Sequence, residues 1–228
     1  MTTPIDATRH IGILVFDQME ELDAVGPWEV FAWWAQHFQG DGWAVTTFSA
    51  DGGPVTCEKT LVIQPHHSTA TVPPLDVFLH PGGDGTRGML EDASHLQWLR
   101  EQRQHVPLMT SVCTGATVFA AAGLLHDRPA TTNRTALDQL TRLDETIIVK
   151  PGQQYVDDGD IITAAGISAG IDMALHIVGR LTTLERSRQV RDGIEYYPEP
   201  ASDGEYVPAA DPRAGQPGYR ERSPTEST

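Results

Sequence analysis

The sequence predicts an α/β domain with a mainly parallel sheet covered by helices on both faces. Three observations carry that prediction. Short, continuous apolar runs recur at Ile11–Phe16, Leu75–Leu79 and Val106–Val112, the pattern of strands buried on two sides. Stretches with apolar residues at helical spacing follow them, so strands and helices alternate as parallel crossover units require. The run ending at Val112 also turns abruptly, through Cys113-Thr114-Gly115, into the small-residue helix pattern Ala116–Leu125.

Composition bounds the rest. With 228 residues the chain has room for one substantial core, expected over 1–198, and a polar Pro/Gly-rich tail over 199–228. That tail has too little apolar content to offset its ordering entropy, and an extended or disordered segment is expected. A formal net charge of −15, with no compact Lys/Arg cluster, disfavours nucleic acid as a partner. No apolar run approaches the ~20 residues that span a bilayer, so no membrane is expected. The stretch Met1–His10 lacks the apolar core of a signal peptide, and Cys57 and Cys113 make no disulfide framework, which together favour a cytoplasmic protein. No His/Cys/Asp cluster has metal-ligand spacing, and neither metal nor cofactor is expected.

Taken in order, Ile11–Phe16 reads as the first strand. Pro27 suits a first helical turn, so the helix is placed over Trp28–Phe38, with Trp28, Val30, Phe31 and Trp34 at helical spacing. Its tryptophans read as core, Trp28 being the one near enough the turn to shape a pocket. Strands follow over Trp43–Ser49 and Thr60–Gln64, either side of the turn cluster Asp51–Pro54. Cys57 lies between them with no helix after it and reads as a spare thiol. The strand Leu75–Leu79 runs into His80-Pro81-Gly82-Gly83-Asp84-Gly85, a turn able to present backbone amides to an anion but lacking the Lys-Ser/Thr ending of a nucleotide loop. A helix over Ala93–Gln102 precedes the strand that feeds Cys113. Beyond it come a helix over Ala136–Leu143, a strand over Thr146–Val149 and a hairpin turning at Asp158-Gly159. Ser168 is placed as the N-cap of a helix over Ile171–Thr183, and a last helix spans Leu184–Ile194.

In a parallel sheet the turns after Leu79 and Val112 lie side by side at the strands' C-terminal ends, where ligands bind. Cys113 sits on the second of them. The thiolate is the nucleophilic form, and the unpaired amides of a following helix stabilise an anion placed before them, so a lowered thiol pKa is expected. His80 ends the strand beside this place and reads as a packed strand-end histidine rather than an active one.

Several separated motifs occur in order: Leu22-Asp23, Gly26-Pro27, Pro81-Gly82-Gly83, Thr110-Ser111-Val112-Cys113-Thr114-Gly115, Ala122-Gly123-Leu124-Leu125, Ala130-Thr131-Thr132 and Gly166-Ile167-Ser168-Ala169-Gly170-Ile171-Asp172. Together they resemble the ThiJ/PfpI superfamily, and within it most nearly the isonitrile hydratases. The resemblance implies a flavodoxin-like sandwich, a homodimer and a small-molecule substrate. It implies Cys113 as catalytic nucleophile on a strained elbow, Thr114 beside it and Asp23 facing it. It also implies the Gly83 amide as an oxyanion site, with Gly166 and Ile167 lining the pocket.

One departure is informative. Many members carry Thr-His-Trp where this chain has Thr132-Asn133-Arg134. Expelling an amine needs an acid to protonate it, so peptide or amide hydrolysis loses support. Isonitrile hydration expels only the enzyme's own sulfur: the thiolate attacks the terminal carbon, that carbon gains a proton, and water attacks the thioimidate to leave an N-substituted formamide. In this implied cycle Asp23 orients the thiol, delivers the proton and activates the water, which requires burial to raise its pKa. Thr114 would hold Asp23 or the water. The alternatives are a cofactor-free glyoxalase or deglycase, for which Asp23 is short and Asn133 cannot shuttle protons, and a non-catalytic thiol or ligand sensor. AraC-type regulators share the fold, but the residues after Pro198 are too few and too polar for their helix-turn-helix domain.

Overall fold

In the computed structural model, which describes residues 8–198, the first half of the chain runs β1 (Arg9–Leu14), α1 (Glu21–His37), a 3-10 turn (Gln39–Asp41), β2 (Trp43–Ser49), β3 (Val55–Thr56), β4 (Val62–Ile63), β5 (His67–Ser68), β6 (Val77–His80), α2 (Thr86–Met89) and α3 (Ala93–His105). The second half runs β7 (Leu108–Val112), α4 (Gly115–Ala121), β8 (Pro129–Ala130), α5 (Leu137–Leu143), β9 (Ile148–Val149), β10 (Tyr155–Asp157), β11 (Ile161–Ala164), α6 (Ala169–Leu181) and α7 (Leu184–Gly193). The expected tail over 199–228 lies outside the described residues. Among the described residues no helix is long and apolar enough to cross a membrane.

Seven strands form one flavodoxin-like sheet in the order β10-β11-β7-β6-β1-β2-β5. Every pairing is parallel except β10 with β11, the expected hairpin closed by Asp158 N–H donating to Ile161 O at 2.9 Å. All residues of β6, β7 and β11 are buried, as continuous apolar runs covered on both faces demand. From β1 the chain steps through α1 to β2, whereas from β6 it steps through α3 to β7 in the opposite direction. Right-handed crossovers therefore put α1 and α3 on opposite faces. The reversal falls between β1 and β6, and ligand crevices form at such a point, beyond the strands' C-terminal ends.

Several local expectations are corrected. The helix placed at Trp28 begins at Glu21, so Pro27 lies inside it. Proline in a helix interior removes a hydrogen bond, but Ala24, Val30, Phe31 and Trp34 form one buried face that spans it, and packing against α6 outweighs the local preference. Asp23 consequently stands on the first turn of a helix rather than on a loop. The strand expected over Thr60–Gln64 shrinks to β4, because Thr60 takes φ 71° and β3 and β4 close an antiparallel hairpin around Cys57. The helix expected to reach Leu125 ends at Ala121. Ser168 stands at the start of α6 but makes no capping bond, since its own φ −64°, ψ −23° is already helical. At α7 the cap is made instead by Thr183, which accepts from Arg186 N–H at 3.1 Å.

Candidate active site

Cys113 follows β7 with φ 56°, a left-handed conformation that a non-glycine residue adopts only when its surroundings impose it. Three bonds do so. Its N–H is shared between Ala164 O at 3.2 Å and Ala165 O at 3.0 Å, and its carbonyl accepts from Thr132 Oγ1 at 2.6 Å. The turn after β6 presses directly against it. A Cβ placed on Gly82 would lie 2.5 Å from Thr114 N and 2.9 Å from Cys113 Cβ, so glycine is what lets the two turns meet.

Asp23 arrives from the first turn of α1 and is wholly buried. Gly82 N–H donates to its Oδ2 at 2.9 Å. Among the described residues its Oδ1 has no well-formed hydrogen bond, although the Cys113 thiol faces the carboxyl and favours its ionised form. Burial pushes Asp23 up to about 8, aided by the charges of Glu20 and Glu58 and opposed by the Gly82 amide and the thiol. The raised carboxyl that the implied cycle requires is therefore present, and Asp23 holds its proton near neutral pH.

The thiol behaves otherwise than expected. Burial, and after it the charge of Asp23, pushes Cys113 up to about 11. The Thr114 amide at the helix start favours the anion, as do Asn133 and the Ile167 amide, but a thiol only 7% exposed loses more by leaving water than these donors return. The resting pair is thus a neutral thiol beside a neutral acid.

Two of the implied contacts differ in the structure. The Thr114 hydroxyl accepts from Gly83 N–H at 2.9 Å and from Thr86 Oγ1 at 3.1 Å, so it holds the glycine turn and not Asp23. The same bond occupies the Gly83 amide that was expected to serve as oxyanion donor. The amides directed at Cys113 Sγ are those of Thr114 and Ile167. Ile167 reaches its place with φ 54°, and its side chain lines a cavity of about 330 Å3 together with Cys113, Thr114, Gly83 and Asn133. Gly166 makes room behind it: a Cβ there would lie 2.6 Å from Asn133 Nδ2.

Asn133 is the residue that sequence reasoning undervalued, noticing only that it is not histidine. Its Nδ2–H donates to Cys113 Sγ at 3.4 Å. The amide is oriented because Oδ1 accepts from Thr135 N–H at 2.9 Å and Thr135 Oγ1 at 2.8 Å. The Asn-x-Thr spacing was the available signal. His80 is buried against Phe16, Phe78 and Phe119 and bonds to Pro81 O and His95, not to Cys113. Trp28 packs on the core and does not line this cavity. Cys57 is buried, and its thiol is pushed up to about 11 by burial and by Glu21, Asp17 and Glu20.

Residues 9–180 match the DJ-1/PfpI family. The isonitrile hydratase of Pseudomonas putida is 37% identical over 194 residues, 85% of this chain and 81% of that protein. The HTH-type transcriptional regulator CdhR of Pseudomonas aeruginosa is 30% identical over 72% of this chain but only 47% of its own length. Among solved structures, a ThiJ/PfpI family protein from Pseudomonas syringae superposes with a TM-score of 0.75 at 30% identity, covering 89% of this chain and 81% of that one. With the family match spanning the whole sheet and the cysteine turn, the chain belongs to the DJ-1/PfpI family.

Proposed function

We propose that this protein hydrates isonitriles to N-substituted formamides, with Cys113 as nucleophile and Asp23 as the acid and base. The observation that carries the reading is the wholly buried Asp23 carboxyl set against the thiol, with an amide rather than an imidazole donating to Sγ from position 133. An isonitrile carbon accepts both a proton and a nucleophile, and the pair supplies both. Asp23 gives its proton to the terminal carbon, producing a nitrilium-like electrophile. The carboxylate left behind takes the thiol proton as Sγ bonds to that carbon. The product is the thioimidate Cys113–S–CH=N–R, with Asp23 protonated again. In the second half Asp23 protonates the imine nitrogen and takes a proton from the attacking water. The tetrahedral adduct collapses to the formamide, breaking the C–S bond and returning the hydroxyl proton to sulfur through the same carboxyl. The Thr114 and Ile167 amides support negative charge on sulfur as it leaves.

The likeness to the Pseudomonas putida isonitrile hydratase supports this reading. The elevated thiol speaks against a peroxide-sensing role, since oxidation follows thiolate character. Purified protein is expected to form formamide from cyclohexyl or aryl isonitrile, with Cys113→Ala inactive. Lactate from methylglyoxal with no formamide from several isonitriles would overturn the reading in favour of a glyoxalase.

A further inference from the structure

A second cavity, of about 250 Å3, lies beyond the end of β1 and is lined by Phe16, Met89, Trp98 and His95 among others. His95 leads inward from it. Its Nε2 is 3.1 Å from Nε2 of His80, a wholly buried side chain. The other ring nitrogen of His80, Nδ1, is 2.7 Å from Pro81 O. A carbonyl oxygen can only accept, so Nδ1 carries the hydrogen. Burial, and secondarily the neighbouring His95, pushes His80 down to about 3 and keeps it neutral. Its Nε2 is therefore bare and His95 Nε2–H is the donor. Pro81 O and Gly82 N belong to one peptide unit, and that N–H donates to Asp23 Oδ2 at 2.9 Å. One directed chain thus runs from His95 to His80, through the peptide, to the carboxyl.

We propose that His80 and His95 are positioning residues for Asp23, acting through the Pro81–Gly82 peptide between them. Each donor in such a chain polarises the next, and resonance couples the peptide's carbonyl to its N–H. The chain fixes the plane of the peptide, and so the place of Oδ2, and makes Gly82 N–H a better donor to the ionised carboxyl. The remaining groups facing Asp23 are Cys113, Glu20 and Glu58, while Asp92 faces His95. The substitutions below leave all of them in place. The assignment rests on the reading of Asp23 as the acid, but its test observes Asp23 ionisation directly and needs no turnover.

The test is NMR on the full chain, with the 13C-carboxyl signal of Asp23 assigned by its absence from Asp23→Asn. His80→Phe suits the surrounding aromatic pocket and removes both nitrogens. It should raise the Asp23 midpoint by roughly 0.3 pH unit, a twofold change in its ionisation constant, from cooperative strengthening of ~20% on a hydrogen bond to a charged group. His80→Asn keeps a donor at the Nδ1 position but loses the acceptor for His95, and should place the midpoint between those of His80→Phe and the unmodified protein. Nitrogen-15 spectra of the unmodified protein should show hydrogen on His80 Nδ1 and on His95 Nε2, the directions without which the chain fails, a check that stands even if His80→Phe does not fold. Hydrogen on His80 Nε2 instead, or an Asp23 midpoint unmoved in a folded His80→Phe protein, would overturn the proposal. Failure to hydrate isonitriles would leave it untouched.

Discussion

Asp23 sets a conflict between stability and chemistry. In the unfolded chain its carboxyl ionises near pH 4, whereas in the folded protein burial holds it up at about 8. Folding at neutral pH therefore takes up a proton, and the contribution of Asp23 to stability is eroded as pH rises from about 4 to about 8. Asp23→Asn, which keeps an acceptor for Gly82, is expected to stabilise the protein by on the order of 3 kcal/mol at pH 7, with the gain vanishing below about pH 4 in urea titrations. Asn133 bears on the sulfur instead. Asn133→Ala removes the side-chain donor to Sγ, and kcat/KM for formamide formation should fall by roughly fivefold, the worth of one modest hydrogen bond. Cys113 was legible as a candidate because its side chain stood on a strand-to-helix turn, and Asp23 only through the motifs that carry the family resemblance. Their protonation was not, since it depends on burial and on facing charges that spacing does not reveal. Thr114 and Gly83 line the cavity beside Cys113, but each satisfies the other instead of the partner the resemblance implied.

At the scale of elements, α1 matters most, since it carries Asp23. Its far end is tied down by Asp41, which accepts from Trp34 Nε1 at 2.8 Å and Arg186 Nε at 2.7 Å, linking α1 to α7. Burial works against the charge of Asp41, but the bonds from Arg186 and Trp34 hold its carboxyl below the usual range. Its stabilisation is thus present above about pH 4 and lost as pH falls through the lowered folded value. Asp41→Ala should cost about 1–3 kcal/mol near neutral pH and less in acid, read by urea unfolding, by leaving the buried Trp34 N–H without its partner. The extent of α1 was misread because a proline usually opens a helix, and only the packed face across Pro27 shows otherwise. The hairpin at Asp158-Gly159 was legible from its turn residues, whereas the two-residue strands β3, β4, β5, β8 and β9 are too short to carry any period.

Across the whole molecule, the site gathers residues far apart in sequence at one end of the sheet: Asp23 after β1, Gly82 after β6, Cys113 after β7, Asn133 after β8 and Ile167 after β11. The parallel architecture was legible because strands buried on both faces must be written as unbroken apolar runs. The meeting of the turns after β6 and β7 was legible too, whereas the other loops at this end follow only from the order of the strands, and the atoms that touch only from side-chain geometry. The central claim is that Asp23 acts first, as an acid, on behalf of a thiol that is not ionised. The most direct test is kcat/KM for formamide formation from cyclohexyl isonitrile against pH, with the unmodified protein beside Asp23→Asn. The account predicts a plateau that falls as Asp23 loses its proton at about 8, and in Asp23→Asn a loss of roughly 10²–10⁴-fold with no such limb. A rate that instead climbs with pH toward thiol ionisation at about 11, and does so equally in Asp23→Asn, would contradict it.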